Sequence, residues 1–389
     1  MMGRKFASRP AAARMAVSAL ALMLAGLSAS PASAGFTQNF GDGKSLSIGL
    51  GMRGSYTSAE DAAPSGNDRS NEFNLDSVRV FVSGSLSDTI KATFNTERDG
   101  DGNLKLLDGY ARFEFSDEFN IWVGRMLPPS DRANLDGPYY INAWSYPGVV
   151  SQYPAKFAGR DDGATVWGKL LDKRMTYAAG AFKGHNRIAG ASNQGDNMLF
   201  TGRLAYNFLD VEDNPAYYTS STYYGSADVL TLAIAGAYQK DGVGTAVNPG
   251  DYSAVSIDAL FEKKLGDAGA VTLEGAWYSY DTDGVADVAP GFGRASGTAN
   301  VGGIAAGEAW LIGGAYLLPG KVGIGQFQPF VRYQTFDPDA APSDIKQYDF
   351  GVNYVISGHS ARISAEYSTV DAGPGPNRDR FTVGLQLQF

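Results

Sequence analysis

The chain has 389 residues, of which 12% are aromatic and 49 are glycine, and its formal net charge at pH 7 is −9. It contains no cysteine, which excludes disulfides, thiol catalysis and covalent c-type haem attachment. The acidic charge argues against nucleic-acid binding, and two histidines leave little for a histidine-rich metal site. We therefore expect no cofactor, no metal and no nucleic-acid partner.

Residues 1–34 have the composition of a secretory signal peptide. The apolar run "AVSALALMLAGL" is followed by the small-residue sequence Ala32-Ser33-Ala34 and preceded by four basic residues without an acidic one: Arg4, Lys5, Arg9 and Arg14. The run is shorter than the ~20 residues that a membrane-spanning helix needs. We predict cleavage before Gly35, which leaves 35–389 as the mature domain, with 28 of the 32 Lys and Arg against 41 Asp and Glu and a net charge of −13.

Segments of alternating apolar and polar residues follow one another from about residue 45 onward. The first are "SLSIGLGMRGSY" from Ser45 and "VRVFVSGSL" from Val78, and the last is "RFTVGLQLQF" from Arg380. We count about 16 such segments, each about the length of a tilted membrane-spanning strand. Single-chain bacterial barrels have an even number of strands, so this count favours a barrel closed by pairing of the last strand with the first.

The connections between these segments alternate between tight turns and longer polar loops. Tight turns are predicted at 87–89, 116–118, 171–174, 266–269 and 357–360. Only residues 211–228 depart from this pattern, because they are long where a short turn is due. Outer-membrane barrels carry short turns on the periplasmic side and long loops outside. We predict an all-β, transmembrane, antiparallel up-and-down barrel.

The two faces of each strand are assigned to lipid and to the lumen. Val331 is predicted to face lipid and its neighbour Arg332 the lumen, which about 16 strands leave wide enough for water. The basic residues predicted on the lumen-facing wall are Arg79, Lys91, Arg112, Arg203, Arg332 and Arg362. Acidic residues are interleaved with them, so we expect most of these charges to pair across strands rather than contact solutes.

The loop at 127–162 is the predicted constriction. It is rich in proline and aromatic residues, which a solvated loop does not need, and long loops often carry function. We expect it to fold inward and narrow the lumen; the alternative is a surface loop that packs on itself. The charged residues predicted to line the pore there are Asp131, Arg132, Asp136, Lys156, Arg160, Asp161 and Asp162.

Three stretches resemble a known family. These are "VGRMLPPSD", "YNFLDVEDNPAYYTSSTYYG" and "ALFEKKLGDAGAVTLEGAWYSY", and the family is the phosphate-selective porin O and P family, with similarity from about residue 45 onward. The resemblance implies a 16-stranded, trimeric diffusion pore for ions and small hydrophilic solutes, set in lipid and lipopolysaccharide of the Gram-negative outer membrane. Acidic residues lie beside Arg132, Lys156 and Arg160, so we expect an undetermined or weakly anionic preference rather than phosphate specificity.

Two other functions compete with the pore. A barrel could act as a sheath or docking partner for another exported protein, such as an electron-transfer subunit, whose haem would come from that partner. An outer-membrane enzyme is less favoured, because the sequence has no G-x-S-x-G motif and suggests no Ser–His pair, so we expect that the chain is not an enzyme. The final aromatic residue, Phe389, resembles the signal read by the outer-membrane assembly machinery.

Overall fold

The computed structural model describes residues 35–98, 102–152, 158–285, 304–340, 344–372 and 377–389. The predicted signal peptide, 1–34, and the predicted pore-lining Lys156 lie outside the described residues. One compact unit extends from Gly35 to Phe389.

Nearly all of the regular structure in the described residues is β-strand. The strands are β1 Phe36–Gly41, β2 Lys44–Ala59, β3 Ser70–Ser85, β4 Ile90–Arg98, β5 Leu104–Glu114, β6 Asn120–Met126, β7 Asp161–Leu170, β8 Met175–Phe182, β9 Leu199–Asn207, β10 Val229–Thr245, β11 Asn248–Lys264, β12 Ala270–Asp281, β13 Gly307–Leu317, β14 Gln326–Pro338, β15 Ile345–Ser357, β16 Ala361–Asp371 and β17 Arg378–Gln388. A five-residue helix, α1, covers Arg132–Asp136, and a 3-10 turn covers Gly266–Ala268. Among the described residues, no helix has the length and hydropathy to cross a membrane.

Strands β2 to β17 form a closed antiparallel barrel of 16 strands. Each strand pairs with the next along the chain, and β17 pairs with β2, with Gln388 opposite Gly51 and Arg380 opposite Ala59. The predicted fold class is confirmed. The chain adds one strand that was not predicted, β1, which pairs with Lys44–Ile48 of β2.

Strand β1 shifts the point at which the barrel closes. β3 occupies one edge of β2 along its whole length, so β1 and β17 share the other edge, end to end. The last strand therefore meets β2 at Gly51–Ala59 rather than at Ser45, because β1 already holds that part of the edge.

The barrel is apolar outside and polar inside, the reverse of a soluble sandwich. On β14, the outward Val331 is 62% exposed, whereas the inward Arg332 is 7% exposed and Gln328 and Gln334 are fully buried. Strand β17 repeats the pattern, with Phe381, Val383 and Leu385 exposed and the intervening residues buried. An apolar band around a polar interior is what a lipid-embedded barrel needs, so the predicted assignment of faces is confirmed on these strands.

The two rims differ as predicted. One rim, here the turn rim, carries the tight turns at 86–89, 115–119, 171–174, 265–269 and 357–360, together with the irregular connection at 208–228. The opposite rim, here the loop rim, carries most of the long connections, including the segment that follows β6. Two connections depart from the predicted alternation, because β10 and β11 are joined at the loop rim by the two-residue turn 246–247, and β13 and β14 at the turn rim by the eight residues 318–325.

Candidate functional site: the lumen and two segments inside it

The segment Leu127–Gln152, here the lumen loop, leaves β6 and enters the barrel. The side chain of Asp131 accepts a hydrogen bond from Asn134 N at 3.2 Å and so caps α1, and all five residues of this helix are buried. Ser151 Oγ donates to Asp131 at 2.9 Å, which ties the start of the lumen loop to its last described residues. Burial raises the pKa of Asp131 to about 6. The loop is thus a packed element inside the barrel.

The middle of the lumen loop is held by the wall on the far side of the barrel. The carboxylate of Glu366 on β16 accepts hydrogen bonds from Trp144 N at 2.6 Å and Ser145 N at 3.2 Å. Arg53 on β2 donates to Trp144 O at 2.7 Å, with its guanidinium 3.9 Å from the centre of the indole ring. Only glycine fits at 384, because a Cβ there would lie 2.5 Å from that ring.

The lumen loop continues to the turn rim. Arg362 donates to Ile141 O at 2.6 Å, and Gln386 donates to Tyr139 O at 3.0 Å. The ring of Tyr140 lies 4.9 Å from that of His359, which is in the turn between β15 and β16. The loop therefore enters from one rim and reaches the other, covering the inner faces of β14–β17, whose polar side chains it buries.

A second segment enters the barrel from the turn rim. It is the irregular connection at 208–228, here the rim connection, and Glu262 on β11 holds it by accepting from Thr222 Oγ1 at 2.8 Å, Tyr223 N at 2.9 Å and Gly225 N at 2.7 Å. The sequence marked this connection only by its length. Its four tyrosines are the signal that could have predicted the inward path, because a solvated turn does not need so many large aromatic side chains.

Arg132 joins the lumen loop to the rim connection and to the wall. Its guanidinium makes two hydrogen bonds to Glu212, at 2.7 and 2.9 Å, and lies 3.4 Å from Asp258 on β11. Arg203 on β9 binds the same Asp258 at 2.6 and 2.8 Å. Arg132 is 1% exposed, so this ion-pair network is shielded from water. A residue predicted to line the pore is thus placed in the contact between the two inner segments.

Further contacts connect the two inner segments. Ser221 Oγ donates to Asp136 at 2.7 Å, and Tyr217 OH donates to Leu127 O at 2.7 Å. The ring of Tyr217 also packs on Trp122 of β6, with centroids 5.6 Å apart, and Trp122 packs on Trp167 of β7 at 5.5 Å. The inward-facing tryptophans of β6 and β7 were not singled out from the sequence.

The other predicted pore-lining residues lie close to β7 and the loop rim. Arg160 is 3.1 Å from Asp108 on β5, Asp161 accepts from Gly184 N at 2.6 Å, and Asp162 is 2.7 Å from Arg125. Each described charge of this predicted set is therefore engaged with protein groups. Their part in solute passage stays a prediction.

The predicted wall residues fall into two groups. Arg79, Arg203 and Arg332 are buried against Glu97, Asp258 and Asp349, and buried Arg362 donates to the lumen loop. Lys91 and Arg112 are only partly buried. The lumen is thus filled beside β14–β17 and more open at the turn-rim ends of β4, β5 and β7, where a cavity of about 820 Å³ is lined by Lys91, Glu114, Trp167, Lys169 and Asp213.

His359 lies where the wall, the lumen loop and the rim connection meet, so its protonation is expected to weaken this junction. Its ring lies 4.9 Å from the rings of Tyr140 and Tyr224, and Nε2 is 2.9 Å from Thr222 O. Burial, and then the nearby Arg362, lower the pKa of His359 from 6.5 to about 4. The unfolded chain therefore binds the proton first as the pH falls, and stability drops by about 3 kcal/mol between pH ~6.5 and ~4, then levels off.

Thermal denaturation of the wild type and of His359→Gln over this pH range measures the effect. The wild type should lose melting temperature relative to the variant as the pH falls, because glutamine does not titrate. If the melting temperatures of the wild type and of His359→Gln fall in parallel with pH, His359 contributes nothing to the acid sensitivity of the barrel.

Solved structures with the same fold include two proteins that are named as porins. An anion-selective porin from Comamonas acidovorans aligns over 89% of this chain and 100% of its own, with a TM-score of 0.58 and 15% identity. A mutant of the Rh. blastica porin aligns over 88% and 100%, with a TM-score of 0.51 and 14% identity. At these identities the match shows the fold alone, which is the 16-stranded barrel of porins.

No family model matches the chain, and no curated protein matches it. The porin type of barrel is thus supported, whereas membership of the phosphate-selective porin O and P family is not confirmed.

One expectation has to be corrected. OmpT of Vibrio cholerae, described only as an outer-membrane-expressed protein, aligns over 90% of this chain and 99% of its own, with a TM-score of 0.55 and 12% identity. Barrels of this shape are therefore not restricted to proteins named as porins. The conclusion that the chain is not an enzyme does not stand, because the fold excludes no catalytic activity.

Proposed function

We propose that the protein is an outer-membrane porin, a water-filled channel through which ions and small hydrophilic solutes diffuse passively. The observation that carries this proposal is the uneven filling of the lumen. The lumen loop covers the walls of β14–β17 and the rim connection packs against β6 and β11. At the turn-rim ends of β4 and β5, Lys91, Arg112 and Glu114 stay partly exposed, and a cavity of about 820 Å³ opens at the turn rim. Open polar space of this kind inside an apolar belt supports the proposal that hydrated solutes enter the lumen and diffuse through it.

The surroundings of the protein follow from the same proposal. Residues 35–389 form the mature porin domain after removal of 1–34, the turn rim faces the periplasm, and lipid and lipopolysaccharide surround the apolar belt. A homotrimer is supported by one of the matched OmpT structures, which is described as a trimer form. Phe389, whose backbone exchanges hydrogen bonds with Leu50 at 2.6 and 2.9 Å, is proposed as the signal for the assembly machinery.

The sheath alternative finds no such support. A barrel that encloses another exported protein needs an empty lumen, and here the protein's own lumen loop and rim connection occupy much of it. We also propose that the channel has a weak preference for anions, phosphate among them. The anion-selective character of the Comamonas acidovorans porin, which has the same fold, is consistent with this preference.

Purified mature protein in a planar bilayer is expected to give stepwise conductance increases, since each inserted barrel adds one fixed path. Conductance should scale with the salt concentration of the bath, as in a water-filled pore. Protein heated until the barrel unfolds is the matched control and should give no steps. Native, heat-modifiable protein that inserts and never conducts would overturn the proposed function.

A further inference from the structure

We infer that the charge preference of the channel is set by three residues on adjacent strands, Lys91 of β4 with Arg112 and Glu114 of β5, here called the wall triad. The favoured solutes are small anions such as chloride, phosphate and short carboxylates. This inference rests on the proposed function, and it replaces the charges of the lumen loop as the source of selectivity.

The wall triad carries an uncompensated positive charge. Lys91 Nζ lies 2.7 Å from Glu114, and Arg112 Nη1 lies 3.5 Å from the same carboxylate, so one acid serves two cations. The three side chains are 27%, 20% and 19% exposed, in the order Lys91, Arg112, Glu114. They therefore reach the water of the lumen while still being held in place by the wall.

The register of the barrel makes this arrangement costly for the fold. Lys91 and Arg112 are directly opposite each other on β4 and β5, and like charges in such a cross-strand pair are destabilising. Among the described residues, the buried Nε of Arg112 has no hydrogen-bond acceptor. Two opposed cations that share one carboxylate are a poor way to hold two strands together. An anion bound beside them would give both cations a further hydrogen-bond acceptor.

Several other lumen cations are paired with acids and buried. Arg79 is 2.7 Å from Glu97, Arg332 is 2.9 Å from Asp349, and Arg132 shares Glu212 and Asp258 with Arg203. All of these side chains are at most 9% exposed, so they do not present charge to a passing solute.

The cavity at the turn rim, which the wall triad borders, is lined by charges of both signs, with the basic residues Lys91, Lys169 and Lys173 and the acidic residues Asp88, Glu114, Asp117, Glu212 and Asp213. Lys91 and Glu114 line it together with Lys169 of β7, whose Nζ donates to the neutral carbonyl of Asn214 at 2.9 Å. The acidic residues of the same cavity include Asp88 and Asp117 on the turns, and Asp117 is paired with Lys173 at 3.0 Å. Among the lining residues on strands, two lysines, Lys91 and Lys169, face one acid, Glu114, whereas the other acidic groups lie on the turns and on the rim connection.

Reversal potentials in a KCl gradient test the inference with two variants of opposite sign. Arg112→Gln should lower the chloride-to-potassium permeability ratio about two- to fivefold, and Glu114→Gln should raise it by a similar factor, as expected for one charge at pore distances in water. Lys91→Gln should act like Arg112→Gln. Lys321→Gln, which removes an exposed charge on the turn rim, is the matched control.

Opposite shifts for Arg112→Gln and Glu114→Gln, both larger than the shift for Lys321→Gln, support the inference. Shifts in one direction, or none beyond the control, overturn it. Where Arg112→Gln yields no heat-modifiable barrel, the pair Lys91→Gln and Glu114→Gln gives the same decision. A wild-type protein without conductance overturns the proposed function instead, so the two failures are distinguishable.

Discussion

Replacing Arg132 by methionine is expected to separate the lumen loop from the rim connection and to increase the single-channel conductance. The substitution removes the cation from a buried network and leaves Glu212 and Asp258 with less compensation. Removing one partner of a buried pair costs about 3–5 kcal/mol, which is enough to release segments that the wall otherwise holds through a few hydrogen bonds. The Arg132→Met channel should also fluctuate more between conductance levels.

A double-mutant cycle with Glu212→Leu tests the cause of this effect. The two single variants should each destabilise the inner segments, and the double variant should be less destabilised than their sum, because Glu212 and Arg132 are removed together and Asp258 keeps Arg203 as its partner. Arg187→Met is the control, since its partner Asp196 is exposed and such pairs contribute little. An Arg132→Met channel with wild-type conductance and a wild-type pattern of limited proteolysis would refute the role given to this residue.

A second large effect, the release of an inner segment from the wall, is expected when either of two wall carboxylates is replaced. Glu262→Met should release the rim connection, because the carboxylate that accepts from Tyr223 N and Gly225 N is lost. Glu366→Met should release the lumen loop, because Trp144 N and Ser145 N lose their acceptor. Hydrogen bonds to a charged acceptor contribute about 1.5–3 kcal/mol each. Each substitution should therefore expose only the segment that its carboxylate holds.

The natural absence of cysteine makes this measurable with single-cysteine reporters. Thr219→Cys reports on the rim connection and Ala143→Cys on the lumen loop, and both sites are buried in the wild type. Labelling by a water-soluble maleimide should rise at least about tenfold at Thr219→Cys in the Glu262→Met background and at Ala143→Cys in the Glu366→Met background. Equal rises at both reporters in both backgrounds would contradict the separate anchoring of the two segments.

The barrel could be predicted from the sequence because the pattern that its strands require is local. Each strand must alternate between lipid and lumen, so Val331 and Arg332 identify their faces without knowledge of their neighbours. Strand β1 was missed because "FTQNFG" does not alternate cleanly. The turn at Gly41, Asp42 and Gly43, with φ of 82°, 52° and 72°, was nevertheless readable, since Asp-Gly is a strong hairpin signal.

The candidate site was less predictable because its contacts join distant parts of the chain. The aromatic content of 127–162 was enough to predict an inward fold, which the described part of the lumen loop shows. It could not identify Glu366 or Glu212 as partners, because nothing local marks one lumen carboxylate among many. The sequence predicted Arg132 as a pore-lining charge and could not show its burial, since that burial depends on a rim connection that begins about 80 residues later.

The path of the lumen loop also constrains the order in which the barrel is assembled. Tyr139 meets Gln386 across 247 residues of sequence, and Trp144 meets Glu366 across 222, so the loop is made long before its binding surface. Contacts at such separations form late, because the chain between them must be ordered first. The loop is consequently seated only as the last strands arrive, which makes narrowing of the lumen and closure of the barrel a single late event in folding.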